Sequence, residues 1–145
     1  MASAPDPRAL PSWLLTQSAA HASRLVADGL AAVHARGYHY RLLAALAEDG
    51  PASQADLGRR CGIDRSDVVA ALNELAARDL VRRTPDPADR RRNVVTLTDT
   101  GRHELRRMGE TLDQVQDTLL APLSAADRAE LTRLLTTLLE HHTGR

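Results

Sequence analysis

Three consecutive arginines, Arg90, Arg91 and Arg92, directly follow Asp89. A guanidinium is a planar fork of donors that grips phosphates and carboxylates, and it stays charged at any physiological pH. Five arginines against two aspartates between positions 82 and 92 give this stretch a local charge of +3. Two β-prone runs flank it, at 80–83 and 93–97, the second carrying the β-branched Val94 and Val95. Between them Pro85, Asp86, Pro87 and Asp89 bend the chain. The pattern predicts a hairpin with a long, arginine-tipped loop. Such a projection suits a polyanion better than it suits a core.

Other chemistries find little support. His21, His34, His39, His103, His141 and His142 show no His-x-x-x-His spacing, and Cys61 stands alone. A zinc site needs three or four ligands in a closed set. Peroxide sensing needs an accessible thiol of low pKa, whereas Cys61 reads as a small buried residue at a helix end. There is no nucleophile elbow and no glycine-rich phosphate loop. We therefore expect no enzyme, no metal and no cofactor.

Composition narrows the partner. Formal net charge is zero, so any nucleic-acid contact must be a local patch. All 19 basic residues are arginine. Aromatics are limited to Trp13, Tyr38 and Tyr40. Readers of single strands and RNA stack bases on aromatic platforms, so duplex DNA is the better fit. The lone cysteine excludes an intramolecular disulfide and suits a reducing compartment. No apolar run approaches the ~20 residues of a membrane span. The start lacks a basic region followed by an apolar one, so a cytoplasmic location is expected.

The elements that must carry the arginine loop follow from periodicity. Leu15, Ala19, Ala22, Val26, Leu30 and Val33 recur at spacings of three and four, one face of a first helix. Ser12, after Pro11, is the expected cap. A second helix is expected over 38–48, stopped by Asp49-Gly50-Pro51. Ser53, with Asp56 three on, caps a third that ends at Cys61-Gly62. A fourth runs over 64–78, burying Val68, Ala71, Leu72 and Leu75. Thr98 caps a fifth over 99–120, and Ser124 caps a last one with Leu131, Leu134, Leu135, Leu138 and Leu139 in helical register. Short helix, glycine turn, helix and hairpin make a winged helix-turn-helix. The fold class expected is mainly α with a small β-hairpin wing, plus N- and C-terminal dimerisation helices. Residues 1–10 read as a disordered tail, 11–36 and 111–143 as the dimerisation region, and 37–110 as the winged helix-turn-helix. The leucine-rich first and last helices need a partner, and a second copy is the simplest one.

The order of elements and several strings resemble the MarR family of bacterial transcription regulators. The strings are Gly62-Ile63-Asp64-Arg65-Ser66-Asp67-Val68, Leu75-Ala76-Ala77-Arg78-Asp79-Leu80-Val81-Arg82-Arg83, Asp86-Pro87-Ala88-Asp89-Arg90-Arg91 and Leu97-Thr98-Asp99-Thr100-Gly101. The resemblance spans about residues 10–142. It implies a homodimer on a pseudo-palindromic duplex site, with the fourth helix in the major groove and the wing in the adjacent minor groove. Such regulators are commonly repressors that a small phenolic or anionic compound releases, and some respond to peroxide or zinc instead.

Residue roles follow. Asp89-Arg90-Arg91 looks like the family's Asp-x-Arg wing motif. A narrow minor groove carries enhanced negative potential that attracts arginine. Arg91 is expected to enter it, Asp89 to orient Arg91, and Arg90 or Arg92 to meet phosphate. On the fourth helix Arg65, Ser66, Val69, Ala70 and Asn73 face outward. Val69 and Ala70 suit thymine methyls and Asn73 suits adenine. Several relatives carry arginine where this chain has Ala70 and Glu74, so either this helix neutralises fewer phosphates or the wing carries more of the affinity. Gln54 is a further phosphate donor. Trp13, His21, Tyr38, His39, Tyr40 and Arg41 are the candidates for an effector pocket between dimer helices and DNA-binding unit. Two other uses remain open: a DNA binder of this fold without an effector, and a protein-interaction module that docks through the basic wing.

Overall fold

The carbonyl of Leu80 is the point where three parts of the chain meet. In the computed structural model, which describes residues 2–144, it accepts the Thr98 N–H at 3.1 Å. Upstream lie a 3-10 turn, Pro7–Ala9, and five elements: α1, Pro11–Ala31; α2, Gly37–Asp49; β1, Ala52–Ser53; α3, Gln54–Cys61; and α4, Arg65–Ala77. Downstream are β2, Val81–Pro85; β3, Asn93–Leu97; α5, Asp99–Leu119; and α6, Ala125–Thr143. This is a mainly helical fold with a small antiparallel sheet, as the periodicity implied. No described helix is long and apolar enough to cross a membrane.

The core forms where the apolar faces converge. Leu42, Leu43 and Leu46 of α2, Leu57 of α3, Val68, Ala71, Leu72 and Leu75 of α4, Leu80, Val81 and Val95 of the hairpin, and Met108 of α5 are all buried. Side-chain caps sit where the sequence places them. Ser53 Oγ accepts from Asp56 N at 3.1 Å, Thr98 Oγ1 from Gly101 N at 2.9 Å, and Ser124 Oγ from Asp127 N at 3.1 Å.

Three details differ from the sequence reading. Ser12 is not a cap: α1 begins at Pro11, with Leu10 in the cap position and no side-chain cap bond. Proline suits the first helical position, since its missing N–H would have had no partner there. The strand before the wing loop runs to Pro85, which pairs with Asn93. The sheet order is β1-β3-β2, so β2 is an edge strand, where proline is tolerated. Two-residue β1 was not anticipated; Ala52 and Ser53 pair with Val95 and Val94 far along the chain.

The α4–β2 turn is tight because Asp79 adopts a left-handed conformation (φ 58°). Leu80 N then reaches Leu75 O at 2.9 Å and Asp79 N reaches Ala76 O at 3.0 Å, a Schellman closure. Thr98 ties α5 to this turn, its hydroxyl donating to Asp79 O at 2.7 Å. Gly101 completes the junction, because a Cβ there would lie 2.1 Å from Leu80 O and 2.7 Å from Leu97 Cδ1.

Two substitutions on α5 should therefore act in opposite directions. Gly101→Ala forces a methyl against backbone and is expected to cost about 3 kcal/mol or more, the upper range for overpacking. Gly109→Ala meets nothing within 4 Å and should be neutral or stabilise by up to ~1 kcal/mol through helix propensity. Urea midpoints of the two variants measure both, and similar values for the two would contradict the junction.

Candidate nucleic-acid interface

The approach to α4 is set by Gly62, left-handed at φ +62°. It lets Ile63 N close on Gly58 O at 3.0 Å, and α4 starts two residues later. With Val68, Ala71, Leu72 and Leu75 buried, the opposite side of α4 is fixed. At 3.6 residues per turn, Ser66, Ala70 and Asn73 share a crest about 60° wide, and all three are exposed. Arg65 is exposed beside it, and Val69 is half-buried on the wing side. Past Arg65 this crest carries no cation of its own.

The wing tip is a chain of short turns. Ala88 N donates to Asp86 Oδ1 at 2.9 Å, Arg92 N to Asp89 O at 2.9 Å, and Asp86 N to Arg92 O at 2.8 Å. Asp89 Oδ1 accepts from both Arg91 N at 3.1 Å and Arg91 Nε at 3.2 Å. Those bonds, the guanidinium's first, hold the Asp89 carboxyl below its usual range, so it is charged at neutral pH. Arg92 Nε lies 3.9 Å from the other Asp89 oxygen. The Arg91 side chain remains 92% exposed, and Arg90 is exposed as well.

The tip, α3 and α4 enclose an open cavity of about 570 Å³. Gln54, Arg65, Val69, Arg91 and Arg92 all line it. Ser66, Ala70, Asn73, Asp89 and Arg90 lie outside its lining. Gln54 Oε1 is buried without a hydrogen-bond partner among the described residues. Arg59, which the sequence reading passed over, also lines the cavity while paired with Asp56. Arg83 was missed too: its Nη1 donates to Asn73 Oδ1 at 2.8 Å. Strand alternation put Arg83 on the face of Val81, toward α4, which was the available signal.

Glu74 occupies the other flank of α4. Its carboxylate takes the Arg36 guanidinium, with Nη2 at 2.8 Å, and lies 2.6 Å from His39 Nε2. Arg36 first, then His39, pulls the Glu74 carboxyl below its usual range. Where relatives were expected to present arginine, this chain turns an acid toward the α1–α2 turn. Arg78 Nη1 donates to His34 O at 2.7 Å, a second tie from α4 to that turn.

The residues considered for an effector pocket fall into separate groups. His39 is buried, its Nδ1 accepting from Arg36 N at 3.1 Å and its Nε2 facing Glu74. Tyr38 and Tyr40 are half-buried against the core. Arg41 lies over the Tyr38 ring, 5.2 Å from its centroid, and donates to Cys61 O at 2.9 Å. Trp13 and His21 are exposed on α1. A smaller cavity, about 300 Å³ between α1 and α5, is lined by Leu25, Gly29 and Val115 among others, and by none of these six.

Comparison with known proteins agrees with this architecture. The sequence profile described as MarR family matches residues 33–92. The chain is 36% identical over 93 residues to the HTH-type transcriptional repressor NicR of Pseudomonas putida, a match covering 64% of this chain and 59% of that protein's length. The transcriptional repressor CouR bound to a 23-mer DNA duplex superposes with a TM-score of 0.82 at 26% identity, covering 96% of this chain and 99% of CouR. BpsR of Bordetella bronchiseptica, whose DNA binding is regulated by 6-hydroxynicotinic acid, superposes with a TM-score of 0.80 at 25% identity, covering 95% and 99%.

The His39 site makes stability depend on pH. Burial lowers its proton affinity more than Glu74 raises it, with Arg36 and Arg78 adding to the lowering. The unfolded histidine titrates near 6.5, so below that value the unfolded chain binds more protons. The stability is full above 6.5 and is lost as pH falls through the lower, folded value. Thermal midpoints should drop from about pH 7.5 to about pH 5.5, and His39→Gln should shrink that drop. Equal drops in both proteins would exclude His39 as the cause.

Proposed function

From its likeness to MarR-family regulators we propose that the chain is a winged-helix transcription regulator of that family, a homodimeric repressor released from a pseudo-palindromic operator by a small anionic aromatic compound. The observation that carries the DNA reading is the shared cavity. Arginines from the wing tip and from the start of α4, with Gln54 of α3, surround one open space. Duplex DNA is the polyanion that fits a helix crest flanked by a projecting basic finger. In this reading Arg91 enters the minor groove, oriented by Asp89, while Arg90 and Arg92 meet phosphate. Arg65 and Ser66 meet the edge of the major groove, and Val69, Ala70 and Asn73 lie over the bases.

Dimerisation is supported by what the protomer leaves uncovered. No residue of α6 is buried. Leu134, Leu135, Leu138 and Leu139 on α6, and Leu10, Trp13, Leu14 and Leu15 near the start of α1, are all exposed. Each such side chain gains about 1.5–3 kcal/mol when fully buried. A second copy offers the same leucine-rich faces and gives a closed, symmetric pair. Two α4 helices about one DNA turn, ~34 Å, apart would then match successive major grooves.

For the effector, the regulation of BpsR by 6-hydroxynicotinic acid suggests an aromatic acid. Arg41 over the Tyr38 ring provides a cation beside an aromatic group for it, whereas Tyr40, His39, Trp13 and His21 would join them only if the dimer brings their separate groups together. The partner's dimer helices would complete the pocket. A ligand shifts the α4 spacing only if its affinities for the two states differ.

Selection from a random duplex pool, followed by fluorescence anisotropy over a salt series, tests the reading. Tight binding with a steep salt slope is expected. Arg91→Ala should lose about 1–3 kcal/mol per subunit. Sedimentation should give a dimer, and Leu135→Glu with Leu138→Glu should give monomers that no longer bind. A pool that yields no enriched duplex would overturn the DNA assignment. Full retention of DNA across a panel of aromatic acids would leave a repressor without this effector.

A further inference from the structure

Arg83 is a half-buried residue of β2 whose guanidinium has no carboxylate partner among the described residues. Among the described residues its one side-chain partner is a neutral amide, Asn73 Oδ1 at 2.8 Å. Arg91 and Arg92 beyond it differ, since both lean on Asp89. The guanidinium therefore keeps donors free for an anion.

We propose that Arg83 contacts a backbone phosphate of bound DNA, and that Asn73 is the positioning residue that aims it. The inference rests on the DNA reading above and adds residues to it. With α4 in a major groove and the wing tip in the neighbouring minor groove, the sugar–phosphate strand separating the grooves must cross between them. The turn at Asp79 brings β2 back alongside α4, so Arg83 stands at that crossing, between crest and tip. After Nη1 is given to Asn73, Nε and Nη2 remain, and a phosphate accepts two such donors side by side.

This assignment accounts for the missing helix cations. Ser66, Val69, Ala70 and Asn73 are uncharged, and Glu74 faces the α1–α2 turn with Arg36. Arg83 supplies from the neighbouring strand the charge that the crest lacks. It also changes the role of Asn73. Its carbonyl oxygen is already bonded to Arg83, so it serves orientation before it serves adenine.

The test is anisotropy over a salt series with the selected duplex and with a fixed scrambled duplex. The proteins are the full chain, Arg83→Gln, Arg83→Lys, Asn73→Ala, the Asn73→Ala/Arg83→Gln pair and Arg91→Ala. Arg83→Gln keeps the stem and an amide but removes the charge, and its thermal midpoint should match that of the parent. It should weaken both duplexes by a similar factor, about tenfold, and flatten the log–log salt slope by about 1.8 per dimer, ~0.9 for each lost phosphate contact. Arg83→Lys should recover the slope. Asn73→Ala should cost less than Arg83→Gln and add little on top of it. An unchanged slope in Arg83→Gln overturns the proposal. So does a loss confined to the selected duplex, which would mean base reading, and so does full additivity with Asn73→Ala. If Arg91→Ala weakens binding while Arg83→Gln does not, only this inference fails. If the unaltered protein shows no salt-dependent duplex binding, the DNA reading fails with it.

Discussion

One backbone carbonyl, that of Leu80, constrains the rest of the molecule. It accepts from Thr98 N, it has Gly101 pressed against it, and it follows the left-handed Asp79 that closes α4. The helix that carries the exposed crest ends there. The wing leaves from there and returns to there, and α5 starts within three residues of that return. An error of a fraction of an ångström at this point would move wing, crest and long helix relative to one another. A residue without a Cβ at position 101 is the condition for that packing, not a concession to flexibility.

From that junction α4 is held along both flanks by arginines of other elements. On one side Arg83 reaches Asn73 from β2. On the other Arg36 holds Glu74, with His39 buried behind it. A helix tied this way moves with the wing and with the α1–α2 turn rather than independently. Displacement of α1 in a dimer would therefore be felt at the crest through Arg36 and through the bond from Arg78 to His34 O. Such ties are packed polar contacts of the kind through which coupling between distant sites can be carried.

The molecule's charge illustrates why totals mislead. Nineteen basic and nineteen acidic residues cancel. Yet several acids are consumed by neighbouring arginines: Asp56 by Arg59, Glu74 by Arg36 and Glu130 by Arg133. The wing tip keeps exposed guanidinium groups because Arg91 and Arg92 share one aspartate and Arg90 has no acidic partner among the described residues. Apolar surface is distributed just as unevenly. The core gathers around α2, α3, α4 and the hairpin, while α6 contributes nothing buried. Folding of the central unit and burial of the α6 leucines are thus separate problems, since α6 buries no residue within the protomer.

Local chemistry made much of this legible in the sequence. Helical spacing of leucines, the hydroxyl caps Ser53, Thr98 and Ser124, and the stop at Gly62 each act within a few residues, so the chain itself determined the six helices, the hairpin and its arginine tip. The cap of α1 was misread for an equally local reason, since Pro11 outranks Ser12 at a helix start. What tertiary structure alone decided were the pairings of distant residues. Ala52 joins Val95 as a third strand, Glu74 is claimed by Arg36 and His39 across more than thirty positions, and Arg83 finds Asn73 only because the Asp79 turn folds β2 back on α4. Strand alternation turns Arg83 toward α4, but no periodicity or cap names the partner in any of those contacts. They exist because burial of the leucine core brings the elements together, and only then do the polar side chains on their rims have partners to choose.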